Sequence, residues 1–311
     1  MTRKVTIVMA TYNRAHFIIE TLQSIQNQTF TDWECLIVDD GGTDNTKEVI
    51  DPILEADNRF KYFKRSENYK KGLPGCRNYG IDVAKGDFII FFDDDDVVHP
   101  ENLKMCLEIL KKNEVDFCHY QKLSFEGKKP LIKKSIINTQ QDLTKADIEK
   151  VITQEIGLAS CTVMWKKLCF KEIRFNESLL YAEEWEFYSR LITENFKGKI
   201  IDAVLYYNRK HPNSNTGEFY DNDPIRRASK KEAILLVVQN LKEKQLLSHS
   251  LLRYFVQMSL NFKEYNLFNQ ILKTLELPIF EKIKWQFFYN TLPLHLWFFG
   301  KWKKIKKGTK Q

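Results

Sequence analysis

Short apolar runs alternate with amphipathic segments through the first hundred residues. Strands are predicted at "VTIVMA", "ECLIVDD", "RFKYFKR" and "DFIIFFD", which cover residues 5–10, 34–40, 59–65 and 87–93. Between the first two, apolar or small side chains recur at helical spacing, at Phe17, Ile18, Thr21, Leu22 and Ile25. This alternation predicts an α/β fold with a mostly parallel central sheet flanked by helices.

Polar side chains lie at the carboxyl ends of three of these strands. "TYNR" follows the first, Asp39 and Asp40 end the second, and the run of four aspartates ends the fourth. Because ligands of such sheets bind beyond the carboxyl ends of the strands, we expect the three segments at one rim. Considered without the other segments, "VDDGGTD" is typical of a turn, and Asn13 is a typical cap residue at the start of a helix.

The aspartate run "FFDDDDVVHP", residues 91–100, is harder to explain by local structure. A cap or turn uses one or two acids, and like charges this close raise one another's pKa and destabilise the fold unless a cation lies among them. Mg²⁺ and Mn²⁺ prefer hard oxygen ligands and are commonly shared with substrate phosphates. The run therefore predicts a site for Mn²⁺ or Mg²⁺ and a nucleotide diphosphate.

Composition narrows the class of protein. A 43% hydrophobic content is typical of a globular chain, and the six cysteines show no CxxC spacing, which favours reduced thiols in a cytoplasm. No secretory signal is expected at the start. Six lysines in residues 301–311 leave the other 300 residues with a net charge of only +1 out of +7, so the charge does not indicate a nucleic-acid partner.

The last third of the chain is predicted to be helical. Strand patterns stop near residue 225, and the expected division is an α/β domain at 1–220 and a helical region at 221–311. Within it, 281–311 is predicted to lie at an anionic membrane surface, because Trp285 to Gly300 lacks charged residues and lysines follow. That stretch is short of the roughly 20 apolar residues that span a bilayer. The alternative is a helix packed on the first domain or on a dimer partner.

Five segments, in order, resemble the inverting family-2 glycosyltransferases with the GT-A fold. They are "VTIVMATYNR", "SIQNQTFTDWECLIVDDGGTDNT", "GLPGCRNYGIDVAKGDFIIFFDDDDVVHPENL", "YAEEWEFYSRL" and "YYNRKHPNSN", within roughly residues 4–216. The resemblance implies transfer of a sugar from a nucleotide-sugar, most simply a UDP-sugar, to a hydroxyl of a glycan or lipid-linked acceptor. It further implies bacterial surface polysaccharide synthesis, peripheral to the inner face of the cell membrane. The resemblance leaves the oligomeric state open.

The resemblance also implies roles for individual residues. The nucleotide-binding positions are Ala10, Tyr12, Arg14, Asp40, Arg77, Asp93 and Asp94. Tyr12 and Asp40 match base-contacting positions, and Arg77 matches a basic residue near the nucleotide. Asp93 and Asp95 match the two acids of the DxD motif, with Asp95 as the direct metal ligand.

The later segments carry the remaining roles. His211 and Ser214 match an HxxS segment near the metal and diphosphate, with His211 as a second metal ligand. Glu183 and Glu184 match a Glu-Asp pair whose second member is the catalytic base, and Trp185 follows in the diphosphate or acceptor region. Acids in the first turn of a helix are also favoured by its dipole, without any catalytic role.

The sequence departs from the family pattern at three positions. Glu184 replaces the usual Asp, and Ala10 and Gly42 replace the commoner Pro and Ser.

Two alternatives come from other classes of protein. One is a haloacid-dehalogenase-like phosphatase, because "FFDDDDVV" also fits the nucleophile motif of that class, and the other is a nonenzymatic sugar-nucleotide-binding scaffold. The phosphatase motif normally opens its fold, whereas here three strand-helix units precede it.

Overall fold

The structure is a computed structural model that describes residues 4–210, 219, 223–262 and 265–308. It divides into two compact units, Met1–Ala233 and Ile234–Gln311. The first unit extends past residue 220, the boundary expected from the sequence.

The described strands of the first unit form one mixed sheet. They are β1 (Val5–Thr11), β2 (Trp33–Asp39), β3 (Phe60–Lys64), β4 (Phe88–Phe91), β5 (Val97–Val98), β6 (Phe117–Phe125), β7 (Gln140–Leu143), β8 (Val163–Lys166) and β9 (Gly198–Arg209). Their order is β3-β2-β1-β4-β8-β6-β9-β5, with β7 paired to β9. The first four are mutually parallel and lie where the sequence predicts them, so the predicted α/β class with a central sheet is confirmed. The sheet as a whole is less parallel than predicted, because β5, β7 and β8 pair antiparallel with their neighbours.

Helices connect these strands and follow the last of them. They are α1 (Ile18–Gln26), α2 (Thr46–Ala56), α3 (Leu73–Val83), α4 (Asn102–Asn113), α5 (Ile148–Ile152), α6 (Glu183–Thr193) and α7 (Pro224–Glu243), which runs from the first unit into the second. α1 buries Ile18, Leu22 and Ile25 together, as their spacing predicts. The burial of apolar faces on the sheet is the main source of helix stability here.

The packing of α3 on β1 is unusually close, and it positions a functional side chain. A Cβ atom added at Gly80 would lie 2.3 Å from Cγ1 of Val8, so only glycine fits there without movement. Arg77, one turn earlier on α3, is buried with its guanidinium 5.8 Å from the ring centroid of Phe91. Close helix packing therefore places a cation beside the end of β4.

The core also accounts for the cysteines. All six are free and buried, as expected for thiols that act as small core residues. Burial raises the pKa of Cys35 and of Cys106 far above the usual range, which keeps both thiols neutral.

The second unit contains α8 (His249–Asn261), α9 (Tyr265–Leu275) and α10 (Ile279–Gly308). One face of α10 packs inside this unit: Trp285 and Leu292 are buried, and the ring of Tyr289 stacks on that of Phe268 at 4.1 Å between centroids. Among the residues that the structure describes, no helix has the length and apolarity needed to cross a bilayer.

Candidate active site

An open cleft of about 1230 Å³ lies at the carboxyl ends of β1, β2 and β4. It brings together every predicted site residue that the structure describes: Ala10, Tyr12, Arg14, Asp40, Arg77, Asp93, Asp94, Asp95, Glu183, Glu184 and Trp185. The predicted convergence of three strand ends on one rim is therefore present. His211 and Ser214 lie outside the described residues.

The two aspartates at the end of β2 have different roles. Asp39 is the turn residue, because its carboxylate accepts hydrogen bonds from the backbone N–H groups of Gly41 and Gly42 at 3.1 and 2.8 Å. Asp40 lines the cleft, where it accepts from Arg65 Nε at 2.6 Å and from the backbone N–H of Gly72 at 2.9 Å. A turn and a site residue thus stand side by side in the sequence.

The "TYNR" segment joins the first two strand ends rather than capping α1. Asn13 has a left-handed backbone (φ 56°), and its Oδ1 accepts from the backbone N–H groups of Thr43 and Asp44 at 2.7 and 3.2 Å. α1 begins at Ile18 without a side-chain cap. Tyr12 stays half-exposed at the cleft, with the Lys71 ammonium 4.9 Å from its ring centroid.

The four aspartates of the run crowd negative charge into a partly buried segment. Arg14 faces two of its members, with Nε 3.3 Å from Asp94 and a terminal nitrogen 3.8 Å from Asp95. Burial and the neighbouring acids raise the pKa of Asp93 to about 6, that of Asp94 to about 7 and that of Asp96 to about 9. A divalent cation among these oxygens would stabilise their ionised forms.

The residues at the end of β4 fit a hard divalent cation. Asp93 and Asp95 both line the cleft, as the two acids of a DxD motif would. Ligand atoms of Asp93, Asp96 and Cys161 also lie within 4.8 Å of one another. Burial raises the pKa of Cys161 well above its usual value, so its thiol stays protonated and is a poor ligand for Mg²⁺ or Mn²⁺. Asp96, moreover, already accepts from the backbone N–H of Arg209 at 2.7 Å.

Arg77 links this acidic end of the cleft to the start of α6. One terminal nitrogen lies 3.3 Å from Asp93, and the other lies 2.8 Å from Glu184 and 3.9 Å from Glu183. The guanidinium is buried against the ring of Phe175, 5.4 Å from its centroid. The surrounding carboxylates raise the pKa of Arg77 further, despite its burial, so it is a fixed positive charge at the centre of the cleft.

The two glutamates at the start of α6 differ in their electrostatics. Burial, together with the charge of Glu184, raises the pKa of Glu183 to about 7. Burial opposes ionisation of Glu184 as well, but Arg77, Lys122 and hydrogen bonds from Ser160 lower the pKa of Glu184 below its usual value. At neutral pH Glu184 is therefore ionised and able to accept a proton, whereas Glu183 is partly protonated.

Several cleft residues were not predicted from the sequence, because they come from distant segments. Lys122 on β6, together with Arg226 and Lys230 on α7, adds positive charge to the wall. Ser229 holds the turn before α6: its Oγ accepts from the backbone N–H groups of Leu180 and Tyr181 at 2.9 Å each and donates to the Tyr181 carbonyl at 2.8 Å. A serine on a long helix gives no motif that would reveal such a contact.

That turn sets the direction in which α6 starts. Ala182 at its end adopts a left-handed backbone (φ 63°), and Glu183 and Glu184 form the first turn of α6, where the helix dipole favours carboxylates. Trp185 follows, and its indole N–H donates to the carbonyl of Ile152 at 3.1 Å. The position of the glutamates thus depends on α5 and α7 as well as on α6.

A mixed sheet with a parallel half, an acidic loop after its fourth strand and a second acidic segment across the cleft is typical of the GT-A fold. Solved structures with this fold agree. The chain is similar to S. aureus TarS 1-349 in complex with UDP-GlcNAc (TM-score 0.67, 21% identity, 88% of this chain and 80% of that one). It is also similar to the Pyrobaculum calidifontis mannosyltransferase PcManGT in complex with GDP-Man and Mn²⁺ (TM-score 0.53, 14% identity, 89% and 86%).

The sequence model described as Glycosyl transferase family 2 matches residues 6–170, more than half of the chain. The chain belongs to the family 2 glycosyltransferases. It is 36% identical over 115 residues to the Escherichia coli enzyme named UDP-Glc:alpha-D-GlcNAc-diphosphoundecaprenol beta-1,3-glucosyltransferase WfgD, covering 37% of this chain and 44% of that one. The chain spans about a third of the length of several other curated glycosyltransferases that it matches.

Proposed function

We propose that this glycosyltransferase transfers a sugar, with inversion, from a UDP-sugar to a hydroxyl of a lipid-linked or glycan acceptor, in a metal-dependent reaction. One observation carries the proposal: Arg77 ties the acidic end of β4 to an ionised Glu184 across a single cleft. The family membership rules against the phosphatase and the nonenzymatic scaffold as the main function.

At the donor side, the chain's own residues bind and orient the nucleotide. Asp40 is held by Arg65 and Gly72, with oxygen lone pairs left to accept from a pyrimidine ring, and Tyr12 offers an exposed aromatic face beside it. Asp95, with Asp93, would hold Mn²⁺ or Mg²⁺, which supplies Lewis-acid stabilisation of the leaving diphosphate. Arg14 lies beside these acids and can contact the same phosphates.

At the acceptor side, Glu184 is the proposed general base. Its carboxylate accepts the proton of the attacking hydroxyl, and attack on the face opposite the diphosphate inverts the anomeric centre with one catalytic acid-base group. Arg77 keeps Glu184 ionised before the reaction, at 2.8 Å. The negative charge of Glu184 and the positive charge of Arg77 are both in place before substrate binds, which limits reorganisation during the transfer.

The donor and acceptor classes rest on the neighbours and relatives. UDP-GlcNAc is bound by TarS, whose fold is similar, and UDP-Glc and a diphosphoundecaprenol-linked GlcNAc appear in the name of WfgD. By analogy we assign a UDP-sugar and a lipid-diphosphate-linked sugar to this chain. We also retain bacterial surface polysaccharide synthesis as the setting, with the first unit, Met1–Ala233, as the catalytic domain and the helical region after it.

A donor screen tests the function. UDP-Glc, UDP-GlcNAc, UDP-Gal and GDP-Man are each incubated with the protein and Mn²⁺, Mg²⁺ or EDTA, and the released nucleoside diphosphate is measured. We expect release from a UDP-sugar that requires the metal and increases when a diphosphate-linked acceptor is added. Turnover of GDP-Man alone would contradict the UDP assignment, and undiminished turnover in EDTA would contradict the metal.

We further propose that α10 lies at an anionic membrane surface on the cytoplasmic side. Seven apolar side chains of this helix have exposed fractions between 52% and 83%: Ile279, Phe280, Ile283, Phe287, Leu294, Trp297 and Phe298. Most recur at intervals of three or four residues, which places them along one side of the helix. Lysines follow from Lys301 onward in the sequence, a pattern typical of an interfacial helix.

Replacing Phe280, Phe287 and Phe298 together with serine tests this surface. Because all three are exposed, the fold should persist, and loss of their apolar area should weaken binding to phosphatidylglycerol vesicles at least about tenfold. The matched control replaces the exposed Leu131 and Ile136 with serine. Vesicle co-sedimentation measures both, and equal binding by the triple variant and the wild type would contradict the proposal.

A further inference from the structure

A lysine in the wall of the cleft has no acidic partner among the residues that the structure describes. Lys230 on α7 is only 8% exposed, yet it lines the same cleft as Glu184. Within the part of the chain that the structure describes, no carboxylate lies within ion-pair distance of its ammonium, in contrast to Arg14, Arg65 and Arg77. A buried charge without a partner is costly, so a ligand is the natural source of compensation.

The contacts of Lys230 show where that ligand would lie. Its Nζ is 4.1 Å from the ring centroid of Trp185, the residue that follows Glu184. The Trp185 ring is itself fixed by its N–H bond to the Ile152 carbonyl. Since the ring supports the ammonium from one side and the cleft opens on Lys230, the remaining hydrogen-bonding directions of the ammonium are available to a ligand in the cleft.

Lys230 lies beside the helix turn that carries the proposed base. The proposed donor groups, Tyr12, Asp40 and Asp95, follow β1, β2 and β4, whereas Lys230 contacts the first turn of α6. Burial also lowers the pKa of Lys230 to about 8, so its ammonium is still mostly protonated at neutral pH, and water screens its attraction for an anion less than at an exposed lysine.

We propose that Lys230, supported by the face of Trp185, binds a phosphate group of the acceptor and so selects acceptors whose sugar is linked through phosphate. This inference rests on the proposed function, because it assumes that a sugar hydroxyl is presented to Glu184. Lys230 is then the residue that distinguishes a phosphate-linked acceptor from a neutral glycoside. A charged contact of this kind corresponds to a tenfold or greater difference in affinity.

Kinetics with two acceptors test the assignment. Lys230→Met keeps the alkyl stem on Trp185 but removes the charge, and Lys230→Arg keeps the charge. With GlcNAc linked through diphosphate to a short lipid, we expect Lys230→Met to raise the acceptor KM about tenfold or more and Lys230→Arg to recover part of the loss. With the octyl glycoside of GlcNAc, the acceptor KM should change little. Lys231→Met, on the same helix, is the matched control and should behave as the wild type.

A binding measurement makes the test independent of transfer. Inorganic phosphate is titrated into metal-free full-length protein and followed by tryptophan fluorescence, because without a cation the acidic donor end should repel phosphate. We expect a signal in the wild type that Lys230→Met loses, and this result would support the anion site even if no donor were turned over. Equal KM changes on both acceptors, or a rise in the donor KM alone, would overturn the proposal.

Discussion

Asp95→Asn is expected to reduce Mn²⁺-dependent transfer at least about 100-fold, because the leaving diphosphate would lose part of its metal's coordination. The asparagine oxygen is a neutral and weaker ligand than a carboxylate. Folding should persist or improve, since Asp95 raises the pKa of Asp94 and of Asp96, and its removal relieves repulsion inside the run. Transfer is measured as released nucleotide over a Mn²⁺ titration, and folding by thermal denaturation.

Two further measurements separate loss of the metal from damage to the fold. Mn²⁺ with UDP should raise the melting temperature of the wild type through linkage, and should raise that of Asp95→Asn much less. Asp142→Asn removes a carboxylate of the same kind from an ion pair with Lys199, outside the cleft, and should keep the wild-type rate. Full Mn²⁺-dependent turnover by Asp95→Asn would show that another group holds the metal.

The sequence predicted the parallel half of the sheet because those strands are stabilised by their own composition. Every residue of β2 and of β4 is buried, and an apolar run needs no further information to be recognised. β7 is different: its sequence "QQDL" has one buried residue, and the strand exists through pairing with β9. Such a strand depends on a partner far along the chain and leaves no local pattern.

The cleft shows the same limit at the level of single residues. The strand pattern placed Asp40 and Asp95 at one rim, whereas only the family resemblance placed Glu184 with them. It did not distinguish Asp39 as the turn residue, since two adjacent aspartates fit a turn equally well until their hydrogen bonds are known. Nor did it indicate Lys230, whose lack of an acidic partner among the described residues is a property of the folded cleft.

The choice between Glu183 and Glu184 is the other point at which structure adds to sequence. Glu184 lies 2.8 Å from Arg77 and has a lowered pKa, whereas Glu183 lies 3.9 Å from it and has a pKa of about 7. The chain has glutamate where the family commonly has aspartate, so its side chain reaches one methylene further into the cleft. The acceptor hydroxyl is then expected to bind correspondingly further from the start of α6.

Glu184→Gln should therefore lower kcat by about 100-fold or more while UDP binding changes little, because the amide keeps the shape but cannot accept a proton. Glu183→Gln is the matched control and should lose less than about tenfold, since at neutral pH Glu183 is already partly protonated and glutamine resembles its neutral form. Glu184→Asp should retain measurable transfer if the acceptor shifts toward the shorter side chain. Product formation from a UDP-sugar and UDP affinity are measured for all three variants. If Glu183→Gln stops transfer and Glu184→Gln does not, the base is Glu183, and the ion pair with Arg77 serves to position α6.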